Sequence, residues 1–439
     1  SIAFSWRLIM NYKKTLILAG VVSLLLSACD KKEILQGKRE AISGITETND
    51  LVQEQSNKIG FIRLTPSANI SSSVDIEGNK QHLSLNYKMP RDFKKLWKTS
   101  IGGRRIDSNI IAFDKNLYVI NSNGVLVCLS QVDGKKLWEK LIAKQPDDAI
   151  FSGGLTANGS IIYISTNIGE VKAIDTKTQK ELWTTNLKYP LKGIPIYSHG
   201  KIIINSIENQ TFALDSLTGK VSWIKSASKE DTIMSDSGSA AELGNDIICT
   251  YTSGDLKSLN AQNGAINWED VLFSANFSES GSVFSHIVAS PVVFDENVLV
   301  ATSESKMALI DGISGIRIWE KEIGTLNTPA VNNNWIFVLS SDNQIICLSS
   351  KTGEISWIKR IQAVYGENYP ESSNWVGPLL INNDVVIFND FGDILRLDPS
   401  TGNLKDKITI KNANIIKKPI IINGKMFAIT SRSDIYAIG

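Results

Sequence analysis

From residue 94 onward the chain repeats itself, and the repeat limits the fold more than any other feature. One reference position is filled in turn by Cys128, Ala173, Ala213, Ser258, Leu309, Cys347 and Arg396. Two residues later stand Ser130, Asp175, Asp215, Asn260, Asp311, Ser349 and Asp398. Six residues after the reference come Gly134, Gly219, Gly264, Gly315, Gly353 and Gly402, with Gln179 the departure. Ten residues after it come Trp138, Trp183, Trp223, Trp268, Trp319 and Trp357; the seventh copy has Asp406. Successive tryptophans lie 38 to 51 residues apart. That length accommodates four short strands and their turns, the size of one propeller blade.

Each part of the motif has a physical role. The reference residue sits in an apolar run such as Leu126-Val127-Cys128-Leu129, which reads as a strand. The Asp, Asn or Ser after it can cap a turn by accepting from backbone further on. The glycine supplies the positive φ of a tight hairpin. One tryptophan per copy at a fixed offset suits packing between successive sheets. A second apolar run precedes each motif, as in Ile161-Ile162-Tyr163-Ile164 and Val385-Val386-Ile387-Phe388. Continuous rather than alternating hydrophobicity predicts strands buried on both faces.

The eighth copy sets the topology. Its reference position is Ala437, and its tryptophan strand is missing. Before the first full copy stands Lys94-Lys95-Leu96-Trp97, repeated as Lys135-Lys136-Leu137-Trp138 inside it. An N-terminal strand therefore completes the last blade, which closes the ring and removes two sheet edges. An open solenoid would not need this split repeat. The expected fold is an all-β, eight-bladed β-propeller over residues 91–439, closed by its N-terminal strand.

The N-terminal part reads differently. Residues 1–9 precede Met10 and read as an upstream extension. Lys13 and Lys14 then precede an apolar stretch, Leu16 to Leu26, which is too short to span a bilayer and has signal-peptide dimensions. Leu26-Ser27-Ala28-Cys29 follows. This ending resembles the bacterial lipobox, which implies cleavage after residue 28, lipidation of Cys29 and membrane attachment without a spanning helix. Asp30 resembles an inner-membrane retention signal of enteric bacteria. Residues 29–90 are rich in Glu, Lys, Asn, Gln and Ser and lack sustained periodicity, so a flexible tether is expected. Within it, Gly60 to Leu64 could form a short strand.

Chemistry-bearing motifs are scarce. The balance of 46 Lys and Arg against 45 Asp and Glu gives no argument for nucleic acid. Cys128 and Cys347 hold the small-residue position, and Cys249 lies in the strand before its own motif. They read as buried residues, neither a disulfide framework nor nucleophiles. His82, His199 and His286 share no metal-ligand spacing. Four connections depart from the short pattern: Lys140 to Gly154 (with Asp147 and Asp148), Lys225 to Ala241, Asp270 to Ser290, and Arg360 to Gly377. Loops of this kind carry binding. The last holds Tyr365, Tyr369 and Trp375, either interface anchors or packing at a blade edge.

The elements Thr176-Lys177-Thr178, Leu217-Thr218-Gly219-Lys220, Lys351-Thr352-Gly353-Glu354 and Ser400-Thr401-Gly402 resemble the pyrroloquinoline-quinone-type propeller repeat. Joined to the lipobox, the chain from about Lys94 to Gly439 resembles the BamB family of outer-membrane assembly lipoproteins. That resemblance implies a non-catalytic scaffold of the β-barrel assembly (BAM) complex, without cofactor or metal. It implies binding to the POTRA domains of BamA, contact with unfolded outer-membrane proteins, and lipid anchoring at the periplasmic face of the outer membrane. It also implies partner-binding roles for Tyr189, Leu191 and Lys192, and for Asp236 in the next connection. Leu191 would bury apolar area, while Lys192 and Asp236 would orient the partner by charge. The family's turn is longer than Tyr189-Pro190-Leu191-Lys192-Gly193, and a second acid expected beyond Asp236 is absent. The rival readings are a quinoprotein dehydrogenase on the same fold and a lipid-anchored propeller with another partner. Against the enzyme, the chain has no Cys-Cys dipeptide and no large insertion.

Overall fold

The computed structural model describes residues 60–75, 78–144, 151–228, 238–272 and 286–439. These residues form eight antiparallel sheets, each meandering from a first, innermost strand to a fourth, outermost one. Blades 1 to 7 span residues 111–141, 153–186, 191–226, 241–271, 292–321, 330–360 and 375–409. Blade 8 takes three strands from residues 420–438, and its outermost strand, Lys95–Ser100, pairs antiparallel with Asp434–Ile438. The expected closure by the N-terminal strand is what the chain adopts. No helix among the described residues is long and apolar enough to cross a membrane.

The repeat is legible in the register. In blades 1 to 7 the reference residue is the cross-strand partner of the residue ten positions on, as with Cys128 and Trp138, Ala173 and Trp183, Ala213 and Trp223, and Leu309 and Trp319. In blade 8 Ala437 pairs with Trp97. A register shift beside that pair recurs in all eight blades. Such a bulge sharpens the local twist, and here it sits where the indole leaves its own sheet. In six of the eight blades the reference residue is Cys, Ala or Ser, small enough to leave room for that ring.

The indole then docks on the next blade. Nε1 of Trp183, Trp223, Trp268, Trp319 and Trp357 donates to the carbonyls of Ser216, Ala261, Gly312, Ser350 and Pro399, each in the following blade's last turn. The motif glycine of that turn lies under the ring. A Cβ on Gly219, whose φ is 72°, would come within 2.5 Å of Trp183. The glycine thus answers two demands, a left-handed turn and an indole laid flat against it. Asp215 Oδ1 caps the turn by accepting from the amides of Leu217 (3.2 Å) and Thr218 (2.9 Å), and Asp311 and Asp398 do the same in their blades.

The seventh copy breaks the rule in a compensated way. Arg396 replaces the small residue and Asp406 the tryptophan, and they remain cross-strand partners. Arg396 reaches the buried carboxylate of Asp384 (Nη2 to Oδ2, 2.6 Å), which also accepts from Lys405 Nζ at 2.8 Å. A buried polar cluster takes the place of the indole.

The expectation of a flexible tether up to residue 90 is corrected for the described part of that segment. Residues 60–75 and 78–90 lie against the propeller, with Ile62, Leu64, Tyr87 and Met89 buried in the same clusters as blade strands. Asn86–Tyr87 adds a fifth, parallel strand inside blade 7. Gly60 to Leu64 forms no strand; instead the Ile62 amide donates to Ser400 Oγ at 2.8 Å. The segment reads as polar because its few apolar residues are spaced for many different blades, so no local period appears. The leader, Cys29 and Asp30 lie outside the described residues.

Candidate partner-binding face

The ring has two unlike faces. One carries the first-to-second and third-to-fourth strand turns, and is called here the hairpin face. The other, the connection face, carries the second-to-third turns and the described parts of the interblade connections. A central channel of about 530 Å³ runs between them, with Ile194, Val288, Leu326, Lys417 and Lys418 in its lining. Ser73, Gly78 and Tyr87 of the N-terminal segment line it too.

Leu191 and Lys192 were expected to be an exposed turn, and the structure corrects this. Both start the first strand of blade 3, Leu191–Ser198, pairing with Ser206 and Asn205. Leu191 is 3% exposed, within an apolar cluster that includes Leu187, Ile204 and Phe212. Lys192 is 2% exposed. Its Nζ donates to Asn209 Oδ1 at 3.0 Å and Thr252 Oγ1 at 2.9 Å. Tyr189 is half-buried, its ring 6.1 Å from that of Phe212. Strand pairing turned the pair inward; a sequence turn defined by Pro190 and Gly193 gave no sign of it. Asp236 lies outside the described residues.

Around Lys192 the fold assembles a polar cluster that was not legible in the sequence. Thr252 Oγ1 donates to Asn209 Oδ1 at 3.0 Å, and the Thr252 carbonyl lies 2.9 Å from His286 Nδ1. Asn209 and Thr252 belong to the second-to-third turns of blades 3 and 4, and His286 precedes blade 5. Blades 3 and 4 and the connection leading into blade 5 thus share one buried network.

The aromatic connection of blade 7 is self-contained. It opens with the short helix Ile361–Tyr365. The Tyr365 ring meets Tyr369 and Trp375 edge-on at 5.7 and 6.2 Å, and Lys407 Nζ lies 4.0 Å from its centroid. Tyr365 Oη donates to Asp393 Oδ2 at 2.9 Å. Burial, with the Asp393 carboxylate beside it, pushes the phenol up to about 12. Trp375 is buried and packs at the blade edge. Among the described residues, the apolar groups exposed in this face's turns and connections include Leu326 (55%), Phe391 (49%) and Ile168 (39%).

Nucleophilic or metal chemistry finds little support here. Cys128, Cys249 and Cys347 are buried free thiols, and burial pushes Cys128 up to about 11 and Cys249 to about 12. A thiolate at neutral pH is thereby disfavoured. His82 and His286 are structural, bonded to backbone carbonyls. Among the described residues no cluster of His, Cys, Asp or Glu could hold a metal ion.

Blade count, turn motif and docked tryptophans define an eight-bladed propeller of the pyrroloquinoline-quinone repeat type. Its solved likenesses include BamB from Moraxella catarrhalis, with a TM-score of 0.67 and 16% identity, covering 79% of this chain and 99% of that one. They also include quinohemoprotein alcohol dehydrogenase from Comamonas testosteroni, at 0.65 and 12%, covering 85% and 81%. At such identities both show the fold alone. The outer membrane protein assembly factor BamB of Moranella endobia is 24% identical over 364 residues, 79% of this chain and 90% of the relative. A family model described as outer membrane protein assembly factor BamB matches residues 122–359, more than half of the chain. The chain belongs to that family, one of assembly factors rather than enzymes.

Proposed function

We propose that this chain is a non-catalytic scaffold of the outer-membrane β-barrel assembly complex, held to the membrane by lipid on Cys29. Its connection face binds the periplasmic POTRA domains of a BamA-type barrel and assists insertion of outer-membrane proteins. The family match carries the reading. The connection face supports it: long connections, half-exposed apolar side chains and a buried polar base are what a partner-binding loop set requires. In this reading Asp236 contributes charge from the connection before blade 4. Leu191 and Lys192 act from beneath, holding that region in shape.

The test is co-purification of the full-length chain with the BamA-type protein of the same organism. Leu326→Glu with Phe391→Glu alters the connection face. Leu217→Glu with Ile313→Glu alters two exposed residues of the hairpin face. Loss of at least tenfold in capture with the first pair, and less than twofold with the second, is expected. Equal capture by both variants would refute the assigned face. No capture by the parent chain would refute the function.

A further inference from the structure

We infer that residues 60–75 and 78–90 form a strap that locks the ring at its hub and shuts the channel on the hairpin face. This does not depend on the proposed function. The strap touches every blade in turn. The Ile70 carbonyl accepts from Asn423 of blade 8, and Ser73 exchanges both backbone hydrogen bonds with Ala112 of blade 1, each 2.7 Å. Thr156 of blade 2 donates to Asp75 Oδ1 at 2.9 Å. Lys80 Nζ lies 5.2 Å from the Tyr197 ring centroid in blade 3. The carbonyls of Lys80 and Gln81 accept from Glu242 of blade 4 and Val293 of blade 5. Asn332 of blade 6 donates to Thr65 Oγ1 and to the Ser84 carbonyl. Asn86 then pairs with Leu380 of blade 7.

Having circled the face, the strap meets its own beginning. Ala68 N donates to the Asn86 carbonyl at 2.8 Å, Lys88 N to the Ala68 carbonyl at 3.0 Å, and Asn86 Nδ2 to the Thr65 carbonyl at 2.7 Å. The overlap makes a closed loop from a linear segment.

The mechanical consequence concerns the one join of the ring that chain continuity does not make: it lies inside blade 8, where Lys95–Ser100 pairs with Asp434–Ile438 before the chain runs on through residues 101–110 into blade 1. That pairing fastens the outer rim. The inner rim is held by the strap, through Ile70 on one side and Ser73 on the other. Two fastenings at different radii resist hinging in a way that one cannot. Because Ser73, Gly78 and Tyr87 also line the channel, the strap leaves the connection face as its mouth.

Hydrogen exchange by mass spectrometry on the full chain tests this. In the parent, the amides of Ala68, Ser73 and Lys88 should be protected as well as those of the blade strands. Exchange at the rate of unstructured chain would overturn the strap outright. Asn86→Ala opens the overlap, and Ala68→Pro removes a donor from it more severely; either suffices if the other fails to fold. Amides of Ile435–Ile438 and of residues 117–120 should then exchange at least tenfold faster, with those of residues 247–249 in blade 4 within twofold of the parent. Acceleration confined to the strap, or spread equally to blade 4, would overturn the inference.

Discussion

Gly134 of blade 1 lies against the indole of Trp97, a residue of the N-terminal strand that completes blade 8, so close that a Cβ would come 2.5 Å from Trp97 Cε3. Thr99 Oγ1 donates to the Gly134 carbonyl at 2.7 Å. The contact that joins each middle blade to the next thus also joins the two ends of the ring. Gly134→Ala combines positive-φ strain (φ 70°) with a clash against a ring that cannot withdraw. A loss of about 2–4 kcal/mol is expected in chemical denaturation. Gly159→Ala, at φ 59° with nothing within 4 Å, should cost only about 1 kcal/mol. Equal losses would show that strain alone matters.

The tryptophans are not equivalent, and the difference is measurable. Trp183 Nε1 donates to Ser216, whereas Trp97 Nε1 is buried without a partner. Trp183→Phe should therefore cost about 1 kcal/mol more than Trp97→Phe, the net worth of one buried hydrogen bond. Calorimetric unfolding of both variants checks the order.

Gln179 occupies the motif's glycine position at φ 58°. A residue with a Cβ is strained there, so Gln179→Gly should raise stability by a few tenths to about 1 kcal/mol. A thermal-shift decrease would show that the Gln side chain contributes more than the strain it carries.

Asp384 is buried between Arg396 and Lys405. Asp384→Ala leaves the Arg396 guanidinium without its main counter-charge. Loss of about 3 kcal/mol is expected, most of it restored in Asp384→Ala/Arg396→Ala, a combination resembling the other blades. A double variant no more stable than the single would contradict this account.

Two buried groups of the strap titrate in opposite senses. Burial lowers His82 from 6.5 to about 4 and raises Asp75 from 3.8 to about 6. Between pH 6.5 and 4 the unfolded chain protonates the histidine while the folded chain does not, so His82 removes stability on acidification. Between pH 6 and 3.8 the folded chain protonates Asp75 first, so Asp75 restores stability over nearly the same range. Each contributes on the order of 2–3 kcal/mol, and they offset. Relative to the parent, Asp75→Asn should lose stability from pH 6.5 to 4, and His82→Gln should gain it. Urea denaturation at pH 7, 5.5 and 4.5 distinguishes these outcomes from flat profiles.

The repeat alone determined the blade count, the split blade, the turns and the burial of Cys128 and Cys347, because each is a local pattern recurring at fixed offsets. Tertiary structure decided the rest. The strap's contacts are spread over eight separate blades, so its few apolar residues carry no period of their own. Leu191 and Lys192 follow a turn-like dipeptide, yet pairing with Ser206 and Asn205 faces them inward. The Lys192, Asn209, Thr252 and His286 network joins residues from blades 3 and 4 and the connection before blade 5. Contacts made across the ring leave no spacing in the chain, and only closure of the propeller brings them together.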